Sequence, residues 1–348
     1  MATDKRMIPS RPRSVLFRAD GNPQIGLGHV MRCLALAEMI GPTYNRRFAI
    51  VQPAPEVVRL MEEKGIAVIL LQTTDLDEFL GVFETDEVVV VDGYSFTTDF
   101  QRAVRQRARA LVFIDDLVTG HQVADVVVNH AGNLTEYDYK SEPYTQFLLG
   151  PRYALLRPPF FAPKTPIPLE GPIFVSLGGA DPSNTTLQVL EGLLVCFGLL
   201  KQEWRVQVVV GPMQQNRPAI EALLPRFKHL NILSNLTAEQ MVAELTKCQL
   251  AVTACSTVAY EVCSVGRPLI AVQTTDNQEK LARFMRHNEL TSTIIQTNGS
   301  TNQITVALHF GLERAYAHLR KQAVQNQRRF FDGQSPERFR ALFNRLTV

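Results

Sequence analysis

A histidine follows a short glycine-rich loop near the amino terminus of the chain. The stretch RADGNPQIGLGHVMRCLALA begins at Arg18 and contains Gly26, Gly28 and His29. Apolar residues after His29 recur with helical spacing, so a helix is predicted to begin near His29. A glycine loop that opens a helix can bind an anion, because free N–H groups and the positive end of the helix dipole point at the ligand. We therefore expect an anion site here; plain turn chemistry is the alternative for the two glycines.

His29 itself is the candidate catalytic residue of this motif. A histidine in the first turn of a helix is disfavoured as a cation, so its imidazole tends to stay neutral. Neutral imidazole is the form that a general base needs. A capping or packing histidine is the alternative. Arg18 is the cation nearest in sequence to the loop and is predicted to bind substrate.

A second glycine loop, VSLGGADPSN, contains Gly178 and Gly179 after an apolar run. Asp181 or Ser183 can cap the helix that follows, and Pro182 suits its first turn. Two anion-binding loops, one in each half of the chain, predict a ligand with a diphosphate held in a cleft between two domains.

A third motif, ACSTVAYEVCSVGRPLI, places Ser256 and Thr257 where a helix should begin after a strand. Glu261 lies one turn further on, where its carboxylate could accept hydrogen bonds from two ribose hydroxyls; an ordinary helix-surface acid is the alternative. The polar segment DNQEK, with Asn277 and Gln278, follows the next strand. Ligands bind at this edge of open α/β sheets.

Short β-branched runs alternate with stretches of helical period along the rest of the chain. Such runs predict parallel strands buried on both faces, and therefore two doubly wound, Rossmann-like α/β domains. The predicted strands are Val15–Phe17, Phe48–Val51, Ala67–Leu71, Val88–Val91, Leu111–Ile114, Val126–Val128, Ile173–Leu177, Val206–Val210, Leu250–Thr253 and Leu269–Val272.

The domain boundary is predicted from a proline-rich segment. Five prolines stand between Pro158 and Pro168, and proline suits neither a central strand nor a helix interior. We expect a flexible extension over 1–13, an N-terminal domain over 14–157, a linker over 158–170, a nucleotide-binding domain over 171–315 and helices over 316–348 that pack back on the N-terminal domain. The extension has no apolar core and is not a secretory signal.

Composition restricts the class of partner. The 348 residues carry a net charge of +2, with 45% hydrophobic residues, so neither nucleic acid binding nor wholesale disorder is expected. No apolar run is long enough to span a bilayer. The five cysteines form no CxxC pair, which is typical of reduced thiols in a cytoplasmic protein. No metal site is expected, since His121 and His130 are irregularly spaced relative to nearby aspartates.

The motifs together resemble the C-terminal half of GT-B glycosyltransferases and, more closely, the UDP-sugar hydrolases of the pseudaminic acid pathway, which act on a UDP-2,4-diacetamido-2,4,6-trideoxy-β-L-altropyranose. Ordered along residues 14–342, the matching segments are FRADGNPQIGLGHVMRCLALA, VVVVDGYSF, FIDDLVTGHQVADVVVNHAGN, LLGPRYALLRPPF, FVSLGGADPSN, STVAYEVCSVGRPLI, DNQEK and FFDGQSPERFRALF.

This resemblance implies a GT-B-like fold with two Rossmann-like domains facing across a cleft. His29 would activate water, and Tyr94 would lie near the reacting sugar. The remaining implied roles are the diphosphate at Gly178 and Gly179, the ribose at Glu261, and the sugar-side loop at Asn277 and Gln278. The sequence departs from the family pattern at Gly93, where some members carry histidine, and at Asn288–Glu289, where a glycine is expected.

The implied reaction is inverting, metal-independent hydrolysis of a UDP-sugar by a cytoplasmic monomer that needs no cofactor and serves pseudaminic acid biosynthesis. Three rival functions fit the same fold: a glycosyltransferase that uses a UDP-amino sugar, a hydrolysing 2-epimerase, and a non-catalytic nucleotide-sugar binder. His29 argues against the last two, because an epimerase would use carboxylates around the sugar and a binder needs no base.

Overall fold

The computed structural model describes residues 13–21, 26–178, 181, 183–211, 214, 216–296 and 301–348, without the side chains of Asn277 and Thr301. The chain forms two compact units. Unit 1 comprises the described residues up to Asn129, together with Thr135–Leu148 and Pro336–Val348. Unit 2 comprises His130–Leu134 and Leu149–Ser335. Residues 1–12 of the expected extension lie outside the described residues.

Strands and helices alternate through both units. The strands are β1 Ser14–Ala19, β2 Asn45–Val51, β3 Ala67–Leu71, β4 Val88–Asp92, β5 Ala110–Ile114, β6 His121–Gln122, β7 Val126–Asn129, β8 Lys140–Ser141, β9 Gln146–Leu149, β10 Ile173–Ser176, β11 Val206–Val209, β12 Leu230–Leu233, β13 Leu250–Ala254, β14 Leu269–Gln273 and β15 Thr293–Gln296. The helices are α1 Gly28–Ile40, α2 Pro55–Glu63, α3 Leu76–Gly81, α4 Thr98–Arg107, α5 Thr185–Leu200, α6 Arg217–Glu221, α7 Ala238–Lys247, α8 Thr257–Val265, α9 Glu279–His287, α10 Thr301–Leu312, α11 Ala317–Phe330 and α12 Ser335–Leu346. Each predicted strand is confirmed to within a few residues.

Unit 1 contains a sheet whose strand order, in the part of the chain that the structure describes, is β3-β2-β1-β4-β5-β7-β9. The pairs from β3 to β7 are parallel. Every residue of β1, β4 and β5 is buried, as expected for strands covered on both faces. The strand order reverses between β1 and β4, where Ala19 pairs with Asp92. Loops at the carboxyl ends of these two strands therefore lie side by side, which is where open α/β sheets bind ligands.

Unit 2 repeats this architecture with the order β12-β11-β10-β13-β14-β15, all in parallel. Its switch point lies between β10 and β13, where Ser176 pairs with Thr253. The loop after β10 begins at Leu177, and α8 follows β13 after only two residues. The doubly wound α/β class predicted from the sequence is confirmed in both units.

The boundary between the two units lies closer to the amino terminus than the proline-rich segment predicts. The main change falls between Leu148 and Leu149, so residues 149–157 belong to unit 2. The excursion His130–Leu134 also belongs to unit 2, where Tyr260 donates a hydrogen bond of 3.1 Å to the carbonyl of His130. A Cβ atom on Gly132 would lie 2.0 Å from the Phe284 ring, which explains the glycine there.

The carboxyl-terminal helices are divided between the two units. Helix α11 lies in unit 2, where the side chain of Gln327 donates to the carbonyls of Arg267 and Leu290. Residues 336–348 lie in unit 1, where Phe343 of α12 is fully buried and meets Tyr44 edge-on at 6.2 Å. The α12 segment is therefore a structural part of unit 1.

Replacing Phe343 with alanine should destabilise unit 1 by about 3–5 kcal/mol, because the change leaves a cavity in a well-packed site. Val348→Ala is the matched control, since its side chain is 81% exposed and its loss should cost less than about 0.5 kcal/mol. Denaturant unfolding measured by circular dichroism gives both values. Equal midpoints for the two variants would contradict the packing role of α12.

Candidate active site

His29 lies in the first turn of α1, at the carboxyl edge of the unit 1 sheet. The helix begins at Gly28, its N-cap residue Leu27 makes no side-chain capping bond, and its first turn contains no acidic residue. The imidazole is 6% exposed. Gly26 adopts a φ of +75°, and both Gly26 and Gly28 have open space where a Cβ atom would project. The amino end of α1 thus remains uncapped by the described side chains.

Asp92, the last residue of β4, orients this histidine. Its Oδ1 lies 2.7 Å from His29 Nδ1, and its side chain is fully buried. A carboxylate can only accept a hydrogen bond, so the neutral ring donates from Nδ1 and carries its lone pair on Nε2. This is the tautomer in which a histidine acts as a base through Nε2.

Arg32, one turn along α1 from His29, joins the two carboxylates of the site. Its Nε donates to Asp92 Oδ2 at 2.9 Å, and a terminal nitrogen donates to Asp92 Oδ1 at 2.7 Å. The other terminal nitrogen donates to Asp116 Oδ2 at 2.8 Å. Burial opposes the charge of this guanidinium, but Asp92 and Asp116 together raise the pKa of Arg32 above its ordinary value. Arg32 therefore remains a cation that holds both acids.

Arg32 also bears on the choice of histidine tautomer. One of its terminal nitrogens lies 2.8 Å from His29 Nδ1. If Nδ1 accepted that hydrogen, two acceptors, Nδ1 and Asp92 Oδ1, would face each other at 2.7 Å. That arrangement is repulsive, which favours donation from Nδ1 to Asp92.

Tyr94 completes the group of polar side chains around His29. Its ring meets the imidazole edge-on, with 4.6 Å between the centroids. Its hydroxyl donates to Asp116 Oδ2 at 3.4 Å. These side chains line a pocket of about 220 Å³ whose other walls include Phe96, Phe113 and Leu117. The predicted pair of His29 and Tyr94 is thus brought together in unit 1.

Arg18 lies behind the pocket wall formed by Phe96 and is not itself among the lining residues. Its side chain is 1% exposed, and its guanidinium pairs with Asp20 at 2.5 Å. The cation lies over the rings of Phe79 and Phe96, at 5.8 and 5.2 Å from the centroids. Among the described residues, the contacts of Arg18 are those of a core residue, and its role in substrate binding stays a prediction.

The glycine loop of unit 2 leads into α5, whose amino end is capped by a carboxylate from that loop. Gly178 adopts a φ of +101°, which favours glycine; Gly179 lies outside the described residues. The carboxylate of Asp181 accepts hydrogen bonds from the backbone N–H groups of Thr185 and Thr186, at 2.9 and 2.8 Å. Asp181 is therefore the cap predicted from the sequence, and it takes up donors that an anion would otherwise use.

The amino end of helix α8 in unit 2 carries no side-chain cap from its own N-cap residue, unlike the end of α5 that Asp181 fills. Its N-cap residue Ser256 makes no side-chain capping bond, and Thr257, the first helical residue, is exposed. Gln278 lies in a short 3₁₀ helix over Asp276–Gln278, where its amide bonds Thr274. The side chain of Asn277 lies outside the described residues. Of the predicted unit 2 residues, Thr257 and Glu261 lie on α8, and Ser256 directly precedes it as the N-cap.

Glu261 is buried on α8 beside one cation. A terminal nitrogen of Arg157 lies 3.4 Å from Glu261 Oε1. Burial raises the pKa of Glu261 to about 7, and the nearby Arg157 opposes that rise. The carboxyl group therefore holds its proton more tightly than an exposed glutamate, and a ligand hydroxyl that donates to it would favour its charged form.

The aspartates near His121 and His130 accept hydrogen bonds from nearby backbone N–H groups. Asp115 accepts from the backbone N–H groups of Leu117 and Val118, and Asp125 accepts from that of Leu111. His121 pairs with Glu142 at 3.0 Å. Within the described ranges, no group of three or more His, Cys, Asp or Glu side chains is placed to hold a metal ion.

Sequence reasoning missed Asp92, Arg32, Asp116 and Arg157. A signal existed for Asp92, because an acid directly after a buried valine run lies at the same sheet edge as the loop after β1. Arg32 stands three residues after His29 and therefore shares its helix face. Asp116 and Arg157 have no comparable local signal.

No protein-family model matches the chain. Among curated proteins, an uncharacterized protein of Methanocaldococcus jannaschii, MJ1062, is 28% identical over 275 residues; the match covers 75% of this chain and only 56% of that relative. The UDP-2,4-diacetamido-2,4,6-trideoxy-β-L-altropyranose hydrolase of Campylobacter jejuni is 23% identical over 278 residues, covering 78% of this chain and 95% of that relative. The similarity to this hydrolase inferred from the motifs is confirmed.

Solved structures support the fold assignment. The calicheamicin glycosyltransferase CalG4 matches with a TM-score of 0.66 at 15% identity, over 97% of this chain and 98% of that one. MurG of Acinetobacter baumannii matches with a TM-score of 0.62 at 14% identity, over 96% of this chain and 100% of that one. The chain thus has the GT-B fold of these glycosyltransferases, as the sequence predicted.

The sequence also predicts reduced cysteines and no membrane-spanning segment. All five cysteines are free and buried, and burial raises the pKa of the Cys196 thiol to about 11. In the described part of the chain, no helix is both long and apolar enough to cross a bilayer.

The raised pKa of Glu261 makes the free energy of unfolding depend on pH. The folded protein binds this proton more tightly than the unfolded chain, so the stabilisation is complete below about pH 4.5 and is lost as the pH rises through about 7. Relative to Glu261→Gln, the wild type should lose up to about 3 kcal/mol of stability from about pH 4.5 to about pH 8. Denaturant titrations at several pH values measure the difference.

Glu279→Gln provides the control for this pH series, because that carboxylate is exposed in its pair with Arg283. Its stability difference from the wild type should stay within about 1 kcal/mol across the range. If the Glu261→Gln and wild-type curves ran parallel, Glu261 would have an ordinary pKa.

Proposed function

We propose that this protein is a nucleotide-sugar hydrolase that splits a UDP-linked 2,4-diacetamido-2,4,6-trideoxy hexose into UDP and the free sugar. The observation that carries the proposal is the hydrogen bond between His29 and the buried Asp92 at 2.7 Å. It presents a base in a pocket of unit 1, at the sheet edge where α/β proteins bind ligands. The similarity to a hydrolase with this substrate in its name supports the choice of sugar.

His29 is the general base of this reaction. Its Nε2 removes a proton from a water molecule as the water attacks the anomeric carbon, and the bond between that carbon and the phosphate oxygen breaks. Asp92 stabilises the imidazolium that forms, because it accepts the hydrogen bond from Nδ1. Direct displacement at carbon inverts the anomeric configuration.

The leaving group explains why a single base suffices. Glycosidases pair an acid with a base because an alkoxide leaves poorly. UDP leaves as a phosphate with a second pKa of about 6, which is already a stable anion at neutral pH. Uncapped helix ends can stabilise such an anion without a proton donor.

Unit 2 binds the nucleotide in this proposal. The free amino end of α8 at Ser256 and Thr257, and the open loop at Gly178, supply backbone N–H groups to the diphosphate. Glu261 accepts hydrogen bonds from the ribose hydroxyls. Because Asp181 occupies the N–H groups of Thr185 and Thr186, α8 contributes more to diphosphate binding than α5.

The product of this reaction is a free 2,4-diacetamido sugar. Such a sugar suits an enzyme that extends it at its aldehyde carbon, which is consistent with a role in pseudaminic acid biosynthesis. Among the alternatives, a glycosyltransferase would pass the same sugar to an acceptor hydroxyl in place of water.

One assay separates hydrolysis from transfer. The purified protein should release UDP from the UDP-diacetamido sugar at the same rate with and without added acceptor sugars. In ¹⁸O-labelled water the label should enter the free sugar and be absent from UDP, because the bond to carbon breaks. UDP release that requires an acceptor would favour the glycosyltransferase, and label in the β-phosphate would refute attack at carbon.

His29→Ala should lower turnover about 10²- to 10⁴-fold, the typical loss when a general base is removed. Affinity for UDP, measured by calorimetry, should stay within about twofold, because the base is not needed to bind the nucleotide. His121→Ala is the control, since this exposed histidine of unit 1 pairs with Glu142 outside the pocket. Wild-type turnover by His29→Ala would exclude His29 as the base.

A further inference from the structure

Three carboxylates line the pocket beside His29. In two of them, both oxygens accept hydrogen bonds from other groups of the protein. Both oxygens of Asp92 are bonded by His29 and Arg32. Asp115 accepts at Oδ1 from the N–H of Leu117, and at Oδ2 from the N–H of Val118 and the hydroxyl of Tyr139. These two acids therefore have structural partners on each oxygen.

Asp116 differs from its two neighbours. Arg32 and Tyr94 both donate to its Oδ2, at 2.8 and 3.4 Å. Among the described residues, none donates to its Oδ1. The side chain is 30% exposed and lines the pocket with His29. Arg32 thus fixes one oxygen of Asp116 and leaves the other as an oriented acceptor.

The charge around this oxygen selects the kind of ligand that it can meet. In the described part of the chain, Asp92 and Asp116 share one paired cation, Arg32, so these three side chains together carry a net negative charge. A phosphate would be repelled here, whereas a neutral group with N–H or O–H donors would be attracted. The pocket of unit 1 therefore suits the sugar and not the diphosphate.

The rest of the pocket lining is mixed, with Thr97, Thr98 and Gln101 beside apolar side chains. Phe96 and Phe113 line it from nearly buried positions, and Leu117 is 44% exposed. Apolar surface in the same pocket as an oriented acceptor suits a sugar that carries methyl groups as well as donors. An N-acetylated deoxy sugar has both, because each acetamido group joins an N–H to a methyl group.

We infer that Asp116 is the sugar-recognition residue of unit 1, with Oδ1 accepting a hydrogen bond from an acetamido N–H of the substrate. This inference rests on the proposed function for the identity of the sugar. It assigns Asp116 to binding and specificity, and leaves proton transfer to His29.

The test measures binding in the slow His29→Ala variant, where the UDP-sugar persists during a calorimetric titration. Adding Asp116→Asn should weaken affinity for the UDP-diacetamido sugar about 10- to 100-fold, the range for a lost hydrogen bond to a charged group. Affinity for UDP alone should stay within about twofold. Asparagine keeps one oxygen for Arg32 but directs an NH₂ donor at the sugar, where an acceptor is needed.

Asp99→Asn in the same background is the matched control, because this exposed carboxylate of unit 1 pairs with Arg102 and does not line the pocket. Its affinity for the UDP-sugar should stay within about threefold of the parent. If Asp116 served only to anchor Arg32, Asp116→Asn would also stay near the parent, and that result would overturn the inference.

Failure of the proposed function gives a different result. A wild type that releases no UDP from the UDP-sugar would refute hydrolysis, while the binding series still measures the contact at Asp116. Equal losses for UDP and UDP-sugar in Asp116→Asn would place the effect on the nucleotide and contradict sugar recognition.

Discussion

One buried charge, the carboxylate of Asp92, governs the candidate active site. An uncompensated carboxylate inside a protein costs several kcal/mol, so it must be paired and hydrogen-bonded. Arg32 and His29 supply the partners, and both lie on α1, one turn apart. Because the guanidinium meets Asp92 through two nitrogens, its geometry is directional and fixes how α1 is rotated against β4. The position of the histidine thus follows from the need to neutralise an acid at the end of a strand.

The two units have the same sheet topology but carry different chemical groups at the carboxyl edge of the sheet. Each sheet reverses its strand order between its first and fourth long strands, and the two neighbouring carboxyl ends form a ligand edge. In unit 1 this edge carries ionised side chains around His29, with one oxygen of Asp116 left unengaged by the described residues. In unit 2 it carries an uncapped helix end and the buried Glu261. In the proposed function, a single fold therefore provides a polar pocket for the sugar in one unit and backbone donors for the diphosphate in the other.

Most strands and the position of His29 could be predicted from the sequence, because valine-rich runs and glycine loops determine structure through residues that are close in sequence. His29 was found from its place after such a loop. Asp92 was not singled out, because its importance depends on β1 and β4 being neighbours, and strand order is a property of the whole sheet. The surroundings of Arg18 could not be predicted for a related reason: they are set by Phe79 and Phe96, which are distant in sequence. The edge strand β12 was not predicted, because its residues are only partly buried and the exposed Asn231 interrupts its apolar run.

Asp181 has a consequence for how α5 can respond to ligands. Its carboxylate sits on the N–H groups of Thr185 and Thr186 and is further held by the side chain of Gln214. A phosphate that approaches this helix end meets a competitor tethered to the same chain, whose effective concentration is on the order of millimolar or more. Free inorganic phosphate would therefore have to compete with Asp181 for these two N–H groups. The carboxylate of Asp181 thus takes the place that an external anion could occupy at this helix end. Helix α5 is therefore stabilised at its amino end without a bound phosphate.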